Sequence, residues 1–242
     1  MVSSVLGVVF IVSGLLEIVI PLILGLYLTR RLGTSWKTWL VGAIMLIVSL
    51  VRLPLNLFLS QLVLNVSVGS LSYILMILIP SLTAGIFEES VRYVGFKYII
   101  KDNTYENGLT YGAGHGGIES ILLVGLNVLS VGFFILTNPN ILSPFLIDAL
   151  LVTPEYLPLI GVYERIMAMI AQIGFSVIVM EAIRKDDVRY FVAAIGLHAF
   201  FDYLAVALVN YSILASEILV TGFALGLGYW TYKRVRAEGV LG

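Results

Sequence analysis

Cysteine is absent from this sequence of 242 residues, and charged residues make up only 12% of it. Without cysteine the chain can form no disulfide, thiolate metal site or cysteine nucleophile. A soluble domain carries about twice this share of charge, whereas 60% of these residues are hydrophobic and the mean hydropathy is +1.02. So apolar a chain needs lipid as its solvent. The net charge of −1 gives no reason to expect nucleic acid as a partner.

Runs of about 20 apolar residues predict seven transmembrane helices. The expected spans are 3–28, 38–59, 71–96, 107–136, 160–183, 189–211 and 213–232, with the weakest boundary near Asn210 to Ser212. The first run is too long for a signal peptide and has no basic start, so we expect a retained helix. No internal repeat is visible. The sequence therefore predicts an all-α, multi-pass protein of the cell membrane, with residues 1–242 forming one domain.

The basic residues are unevenly distributed along the chain. Twelve of the fourteen Lys and Arg residues occupy the first, third and fifth connections and the C-terminal tail, as Arg30, Arg31, Lys37; Arg92, Lys97, Lys101; Arg184, Lys185, Arg189; and Lys233, Arg234, Arg236. The N-terminus and the other connections contain none. Because basic loops stay cytoplasmic, we expect the N-terminus outside and the C-terminus in the cytoplasm.

Many ionisable residues lie inside the apolar spans, where each costs a few kcal/mol unless it is paired or functional. They are Glu17, Arg52, Glu88, Glu89, His115, Glu119, Glu164, Arg165, His198 and Asp202. At 1.5 Å per residue, Glu88, His115 and His198 all lie roughly 12–14 Å from the cytoplasmic ends of their helices. A lone membrane histidine is usually a packing residue, but three polar helix faces at one depth favour a functional site in the cytoplasmic half of the bilayer.

Each histidine is followed by a carboxylate one helical turn later. Glu119 lies four residues after His115, and Asp202 lies four residues after His198. Residues with this spacing share a helix face, so we expect two matched pairs. The segment around His115 also contains four glycines, which we interpret as a loop that lets backbone, water or an extended substrate approach the imidazole.

A second polar group lies roughly 6–11 Å from the outer face. It consists of Arg52 and the Glu164–Arg165 pair, which we interpret as a structural ion-pair network between the second and fifth spans. Glu17 and Gln172 are closer in depth to the inner cluster. Whether either of them lines the same cavity stays open at the level of sequence.

These residues fall into motifs that resemble a known family. In chain order the motifs are Phe87-Glu-Glu-Ser-Val-Arg-Tyr93, Gly112-Ala-Gly-His-Gly-Gly-Ile-Glu119, Glu164-Arg165 and His198-Ala-Phe-Phe-Asp202. They resemble the YhfC family of intramembrane metalloproteases, which looks related to the CAAX protease and bacteriocin-processing superfamily. The resemblance covers about residues 80–205, the expected catalytic core; before residue 70 only helix number and hydropathy agree.

The resemblance implies a role for each matching residue. Glu88 resembles the glutamate that activates water, with His115 as its partner, while His198 and the residue four later resemble the groups that stabilise an oxyanion. That later residue is Asp202, where the superfamily has asparagine, and a bare carboxylate would repel an oxyanion. Asp202 is therefore expected to be protonated, to orient His198 or to bind a metal. If Gln172 stands where relatives often carry histidine, one potential metal ligand is lost.

These residue types suit peptide hydrolysis, which needs an activated water, a proton donor for the amine and a stabiliser for the oxyanion. We expect Glu88 and His115 to hold and deprotonate the water while His198 stabilises the oxyanion. Arg92, three residues after Glu89, would fix the geometry with that carboxylate.

A zinc mechanism would use much the same residues. His115 and His198 with Asp202 or Glu119 would supply three ligands and leave a position open for water. The chain lacks a His-Glu-x-x-His motif, so we prefer a site without cofactor and keep zinc as the alternative.

The expected partners are membrane lipids and a membrane-embedded or membrane-tethered protein substrate, reaching the site from the inner leaflet. Three other functions stay open. A proton-coupled transporter also places Glu, His and Asp at depth. A non-catalytic scaffold, like the histidine-bearing membrane subunit of gamma-secretase, would bind partner helices. An acyl- or prenyl-transferring enzyme could also use a Glu–His site.

Overall fold

Helices account for all the regular structure in the computed structural model, which describes residues 2–209 and 211–240. Their bounds are α1 Ser4–Leu32, α2 Trp36–Ser49, α3 Arg52–Val66, α4 Ser70–Val94, α5 Tyr105–Glu119, α6 Leu126–Thr137, α7 Pro144–Val152, α8 Leu157–Arg184, α9 Val188–Val209 and α10 Ile213–Ala237. Within the described residues, seven helical stretches are long and apolar enough to span a membrane. This confirms the predicted number of spans. Asn210, in the least certain boundary, lies outside the described residues.

Three spans contain local departures from a regular α-helix. The second is broken at Leu50–Val51, where α2 ends and α3 begins. The third and fourth contain π-helical turns at Gly95–Ile100 and Ser120–Gly125. π-Helical turns within α-helices occur frequently at functional sites, and the second of these begins directly after Glu119. The sequence did not indicate any of these features, because they do not alter hydropathy.

Backbone contact with neighbouring helices accounts for the glycines of α5. A Cβ on Gly114 would lie 1.9 Å from the Trp39 carbonyl oxygen, and one on Gly42 would lie 2.2 Å from the Tyr111 carbonyl oxygen. Only glycine permits such close approach of two helices. The segment is helical and His115 is fully buried. The expectation of an open glycine loop around His115 is therefore wrong: the glycines seat α5 against α2 on one side and against α8 on the other.

The most enclosed span is α8, in which 78% of the most apolar 18-residue stretch is buried. It packs against α5, α9 and α10. Glu181, near its C-terminal end, is fully buried. It accepts a hydrogen bond of 2.8 Å from the Tyr105 hydroxyl, pairs with Lys185 and lies 3.8 Å from Arg234 Nε. These contacts join α5, α8 and α10 at one end of the bundle. The side chains that project from the middle of α8 meet those of α4, α5 and α9.

Arg92 requires one correction to the charge pattern. It was grouped with the basic residues of the third connection, but it lies inside α4 and is fully buried. Lys97 and Lys101 remain to mark that connection as basic.

Candidate active site

The Glu88 carboxylate lies at the centre of the polar cluster and is 3% exposed. Its Oε1 accepts a hydrogen bond of 2.9 Å from Arg52 Nη2. Its Oε2 lies 3.2 Å from His115 Nε2 and 3.8 Å from His198 Nε2. The three residues placed at one depth by sequence, on α4, α5 and α9, are therefore brought together. The guanidinium balances the charge on one oxygen and leaves the other directed at the two imidazoles.

Glu89 holds His198 from the opposite side of the ring. Its Oε1 lies 2.6 Å from His198 Nδ1, and its Oε2 lies 3.2 Å from Arg92 Nε. A carboxylate can only accept a hydrogen bond, so a Glu89 carboxylate at this distance pairs with the form of His198 that carries a proton on Nδ1. Phe175 stacks on the imidazole with ring centroids 4.7 Å apart and planes 7° from parallel. Nδ1 and the ring face are thus fixed, and Nε2 is directed towards Glu88.

Arg92 connects α4 to α8 through Gln172. Its Nη1 donates to the Gln172 carbonyl oxygen at 2.6 Å and to Ser176 Oγ at 2.8 Å, and its Nη2 donates to Gln172 Oε1 at 2.6 Å. The Gln172 amide nitrogen then donates to Glu119 Oε2 at 2.7 Å and weakly, at 3.4 Å, to Glu88 Oε2. Gln172 therefore lines the site and links Glu119 to Glu88, which answers the question that the sequence left open for Gln172.

The two pairs predicted within single helices form differently. Glu119 contacts Gln172 and, at 3.4 Å, Arg165 Nη1, while His115 contacts Glu88 instead. Asp202 Oδ2 lies 3.7 Å from His198 Nε2, which is too long for a hydrogen bond. One-turn spacing placed these residues near the site correctly, but it could not show that partners on other helices are closer.

The second polar group is not separate from the first. Arg52 pairs with Glu88, and Arg165 pairs with Glu164 at 2.8 Å as well as with Glu119. The expected separate network between the second and fifth spans is therefore wrong. The helix break at Leu50–Val51 lies just before Arg52, the first residue of α3. The sequence predicts one continuous helix over this span, so it does not indicate the break.

Glu17 makes no hydrogen bond to this cluster in the described residues, although it lies within electrostatic range of Arg165 and Glu164. It is 2% exposed and packs beside Gly125 and Gly161. Within the part of the chain that the structure describes, neither of its carboxylate oxygens has a hydrogen-bond partner.

Sequence reasoning missed Ser176, Phe175 and the position of Arg52. Ser176 follows Gln172 by four residues in an apolar span, so the spacing rule applied to the histidines could have found it. Phe175 gave no signal, because an aromatic residue in such a span is ordinary.

A bound metal would need three or more donors directed at one point. Among residues 2–209 and 211–240, no group of three His, Asp or Glu side chains could hold a metal ion. His115 Nε2 faces Glu88 directly, and His115 Nδ1 is buried without a hydrogen-bond partner in the described residues. As arranged, these side chains do not form a metal site. The choice between zinc and a site without metal stays a prediction.

The described residues form seven helical stretches that can span a membrane, and five of the helices contribute carboxylates, imidazoles or guanidiniums to one buried cluster. The protein therefore belongs to the class of multi-pass membrane proteins with a buried polar site. Comparison with known proteins specifies the family. The chain belongs to the YhfC intramembrane metalloprotease family, whose model matches residues 16–224.

One curated relative matches almost end to end. The chain is 32% identical over 257 aligned positions to an uncharacterized membrane protein, YhfC, of Bacillus subtilis (strain 168), covering 98% of this chain and 99% of that protein. No solved structure matches the chain. The multi-pass membrane location rests on these matches and on the seven spans.

Proposed function

We propose that this protein is an intramembrane endopeptidase that hydrolyses peptide bonds of membrane-associated substrates with a water activated by Glu88 and His115. The observation that carries the proposal is the environment of Glu88, which joins Arg52 through one carboxylate oxygen and faces His115 and His198 with the other. The family description of an intramembrane metalloprotease agrees with peptide hydrolysis.

The side chains supply each proton movement of that reaction. Glu88 Oε2 accepts a proton from a water molecule beside it and His115, and the water oxygen attacks the carbonyl carbon of the peptide bond. In this mechanism His198 is the imidazolium, with Nδ1–H directed at Glu89 and Nε2–H donating a hydrogen bond to the oxyanion that forms, and it keeps both protons throughout. Glu88 then passes its proton to the amide nitrogen, the carbon–nitrogen bond breaks, and an acid and an amine are released.

The surrounding residues position these groups without contacting the reacting atoms. Glu89 and Phe175 fix the His198 ring, and Arg92 fixes Glu89. Arg52 keeps Glu88 in place. Buried groups held in this way need little reorganisation as charge develops, which is the main source of electrostatic catalysis.

The experiment is cleavage of a library of membrane-tethered peptides in proteoliposomes. Glu88→Gln keeps the shape of the side chain but removes the base, so we expect cleavage to fall by about 10²–10⁴-fold. Glu17→Gln makes the same change at a buried glutamate that has no hydrogen bond to Glu88 or the histidines, and it serves as the matched control. Each protein is assayed with and without a chelator, because chelator-sensitive cleavage would require a metal.

Wild-type rates in a folded Glu88→Gln variant would refute the assignment of Glu88. Equal loss in Glu17→Gln would mean that cleavage depends on buried charge in general. Failure of the wild type on every substrate, together with stable co-purification of another membrane protease, would favour a scaffold.

A further inference from the structure

A cavity of about 240 Å³ adjoins the candidate active site, and charged and apolar residues both line it. Its charged lining consists of Arg52, Glu164, Arg165 and Asp202. Arg52 donates to Glu88, and Asp202 Oδ2 lies 3.7 Å from His198 Nε2. The inner end of the cavity is therefore one side chain away from the proposed catalytic groups.

Side-chain exposure increases from the cluster towards this cavity. Glu89 is fully buried and Glu88 is 3% exposed, whereas Asp202 is 33% and Glu164 is 35% exposed. Carboxylates of membrane spans face a water-filled cavity or other polar groups rather than lipid. The volume is large enough for several water molecules. Its charged lining and its volume together favour a hydrated vestibule over a gap filled by lipid tails.

The positions of the lining residues along their helices show where the vestibule opens. On α9 they are Asp202, Ala205 and Val206, close to the helix end at Val209. On α8, Glu164 lies seven residues after the start at Leu157, or about 10 Å along the axis. Both ends adjoin connections without Lys or Arg, whereas the basic connections lie at the opposite ends of the same helices.

We infer that water and an extended segment of substrate reach Glu88 through this cavity, from the membrane face opposite the basic connections. Under the positive-inside rule that face is extracytoplasmic, so the substrate is a membrane-anchored protein whose segment near the outer surface enters the vestibule. This replaces the inner-leaflet route expected from sequence. The substrate route rests on the proposed function, whereas the hydration of the cavity is independent of it.

The lining suits an unwound peptide. A helix satisfies its own backbone hydrogen bonds, so a peptide bond becomes available for attack only where the helix opens and leaves carbonyl and amide groups unpaired. Guanidiniums of Arg52 and Arg165 can donate to those carbonyls, and the carboxylates of Glu164 and Asp202 can accept from those amides. The apolar wall, which includes Met76, accommodates side chains.

The absence of cysteine from the chain allows a direct test with single-cysteine variants. Ala205→Cys and Met76→Cys place a thiol in the cavity, and Ala193→Cys places one at the basic end of α9. Ile218→Cys is the matched control, because it lies at a similar distance from the same membrane face but on the exposed surface of α10. A charged, membrane-impermeant thiol reagent is added to sealed vesicles of either orientation.

We expect Ala205→Cys and Met76→Cys to react at least tenfold faster from the face opposite the one that labels Ala193→Cys, with Ile218→Cys unreactive from both. Two results would overturn the inference. One is that Ala205→Cys reacts as slowly as Ile218→Cys, and the other is that Ala205→Cys reacts from the same membrane face as Ala193→Cys.

A second measurement separates this inference from the proposed function. A bulky reagent attached to Ala205→Cys should reduce peptide cleavage at least tenfold, whereas the reagent under the same conditions should not affect Ile218→Cys. Full activity in quantitatively labelled Ala205→Cys would refute the substrate route. Labelling as expected, in a protein whose wild type cleaves nothing, would retain the hydrated cavity and remove the protease assignment.

Discussion

Arg92 is the residue whose removal should affect the fold most directly. Its side chain is fully buried, donates three hydrogen bonds of 2.6–2.8 Å to Gln172 and Ser176, and pairs with Glu89. Arg92→Met keeps an apolar stem but removes the guanidinium that faces the buried Glu89 carboxylate, which then retains only His198 as a partner. Removing one partner of a buried ion pair typically costs about 3–5 kcal/mol, so we expect a loss of that size in the free energy of unfolding.

Two further variants divide this loss into its parts. Arg92→Lys retains the charge but cannot reproduce the planar fork of donors. It should lose about 1–3 kcal/mol, the cost of leaving buried acceptors unpaired. The double variant Arg92→Met/Glu89→Gln should lose less unfolding free energy than the two single variants lose in sum, because neutralising Glu89 removes the uncompensated charge.

The assay is equilibrium unfolding in mixed detergent micelles, followed by circular dichroism for wild type, the single variants and the double variant. Leu197→Ala, at a partly exposed apolar position of α9, controls for general loss of packing. Unfolding of Arg92→Met within about 1 kcal/mol of wild type would refute the reasoning, because the cost of an unpaired buried charge exceeds that value. Strict additivity in the double variant would show that Arg92 and Glu89 do not interact.

Two more predictions concern parts of the fold away from this ion pair. Gly114→Ala should strongly destabilise the protein in the same assay, because the new Cβ would lie 1.9 Å from the Trp39 carbonyl oxygen. The control Gly196→Ala has open space around the new Cβ and should be neutral or slightly stabilising. Equal effects of the two substitutions would contradict the close packing of α2 and α5. Tyr105→Phe should cost about 1.5–3 kcal/mol by removing one hydrogen bond to the buried carboxylate of Glu181, and an unchanged unfolding midpoint would mean that this contact contributes nothing.

The sequence was sufficient to predict the spans and most of the side chains of the buried polar cluster. Hydropathy determines the spans because lipid requires long apolar helices. Glu88, His115 and His198 were identifiable because an ionisable residue at membrane depth is expensive. Both arguments use positions along one helix at a time.

What the sequence could not predict depends on contacts between helices. The partner of His115 is Glu88 on α4, and the partner of Glu119 is Gln172 on α8. Spacing within α5 instead suggested that His115 and Glu119 belong together. The glycines of α5 were misinterpreted for the same reason, since a glycine that accommodates a substrate and one that accommodates a neighbouring helix look identical in a single chain.

The distribution of the polar cluster over five helices has a consequence for how the protein is made. During synthesis α4 enters the bilayer with Glu88 and Glu89 before α5, α8 and α9 have been translated, and each unpaired charge at the centre of a helix costs about 2.5–3.5 kcal/mol on insertion. Arg92 from within α4 and Arg52 from the preceding α3 offset part of this, but His115, Gln172 and His198 arrive later. A chain that stops before α9 therefore leaves Glu89 without His198, so we expect the earlier helices to be held less stably in the membrane until α9 has been made.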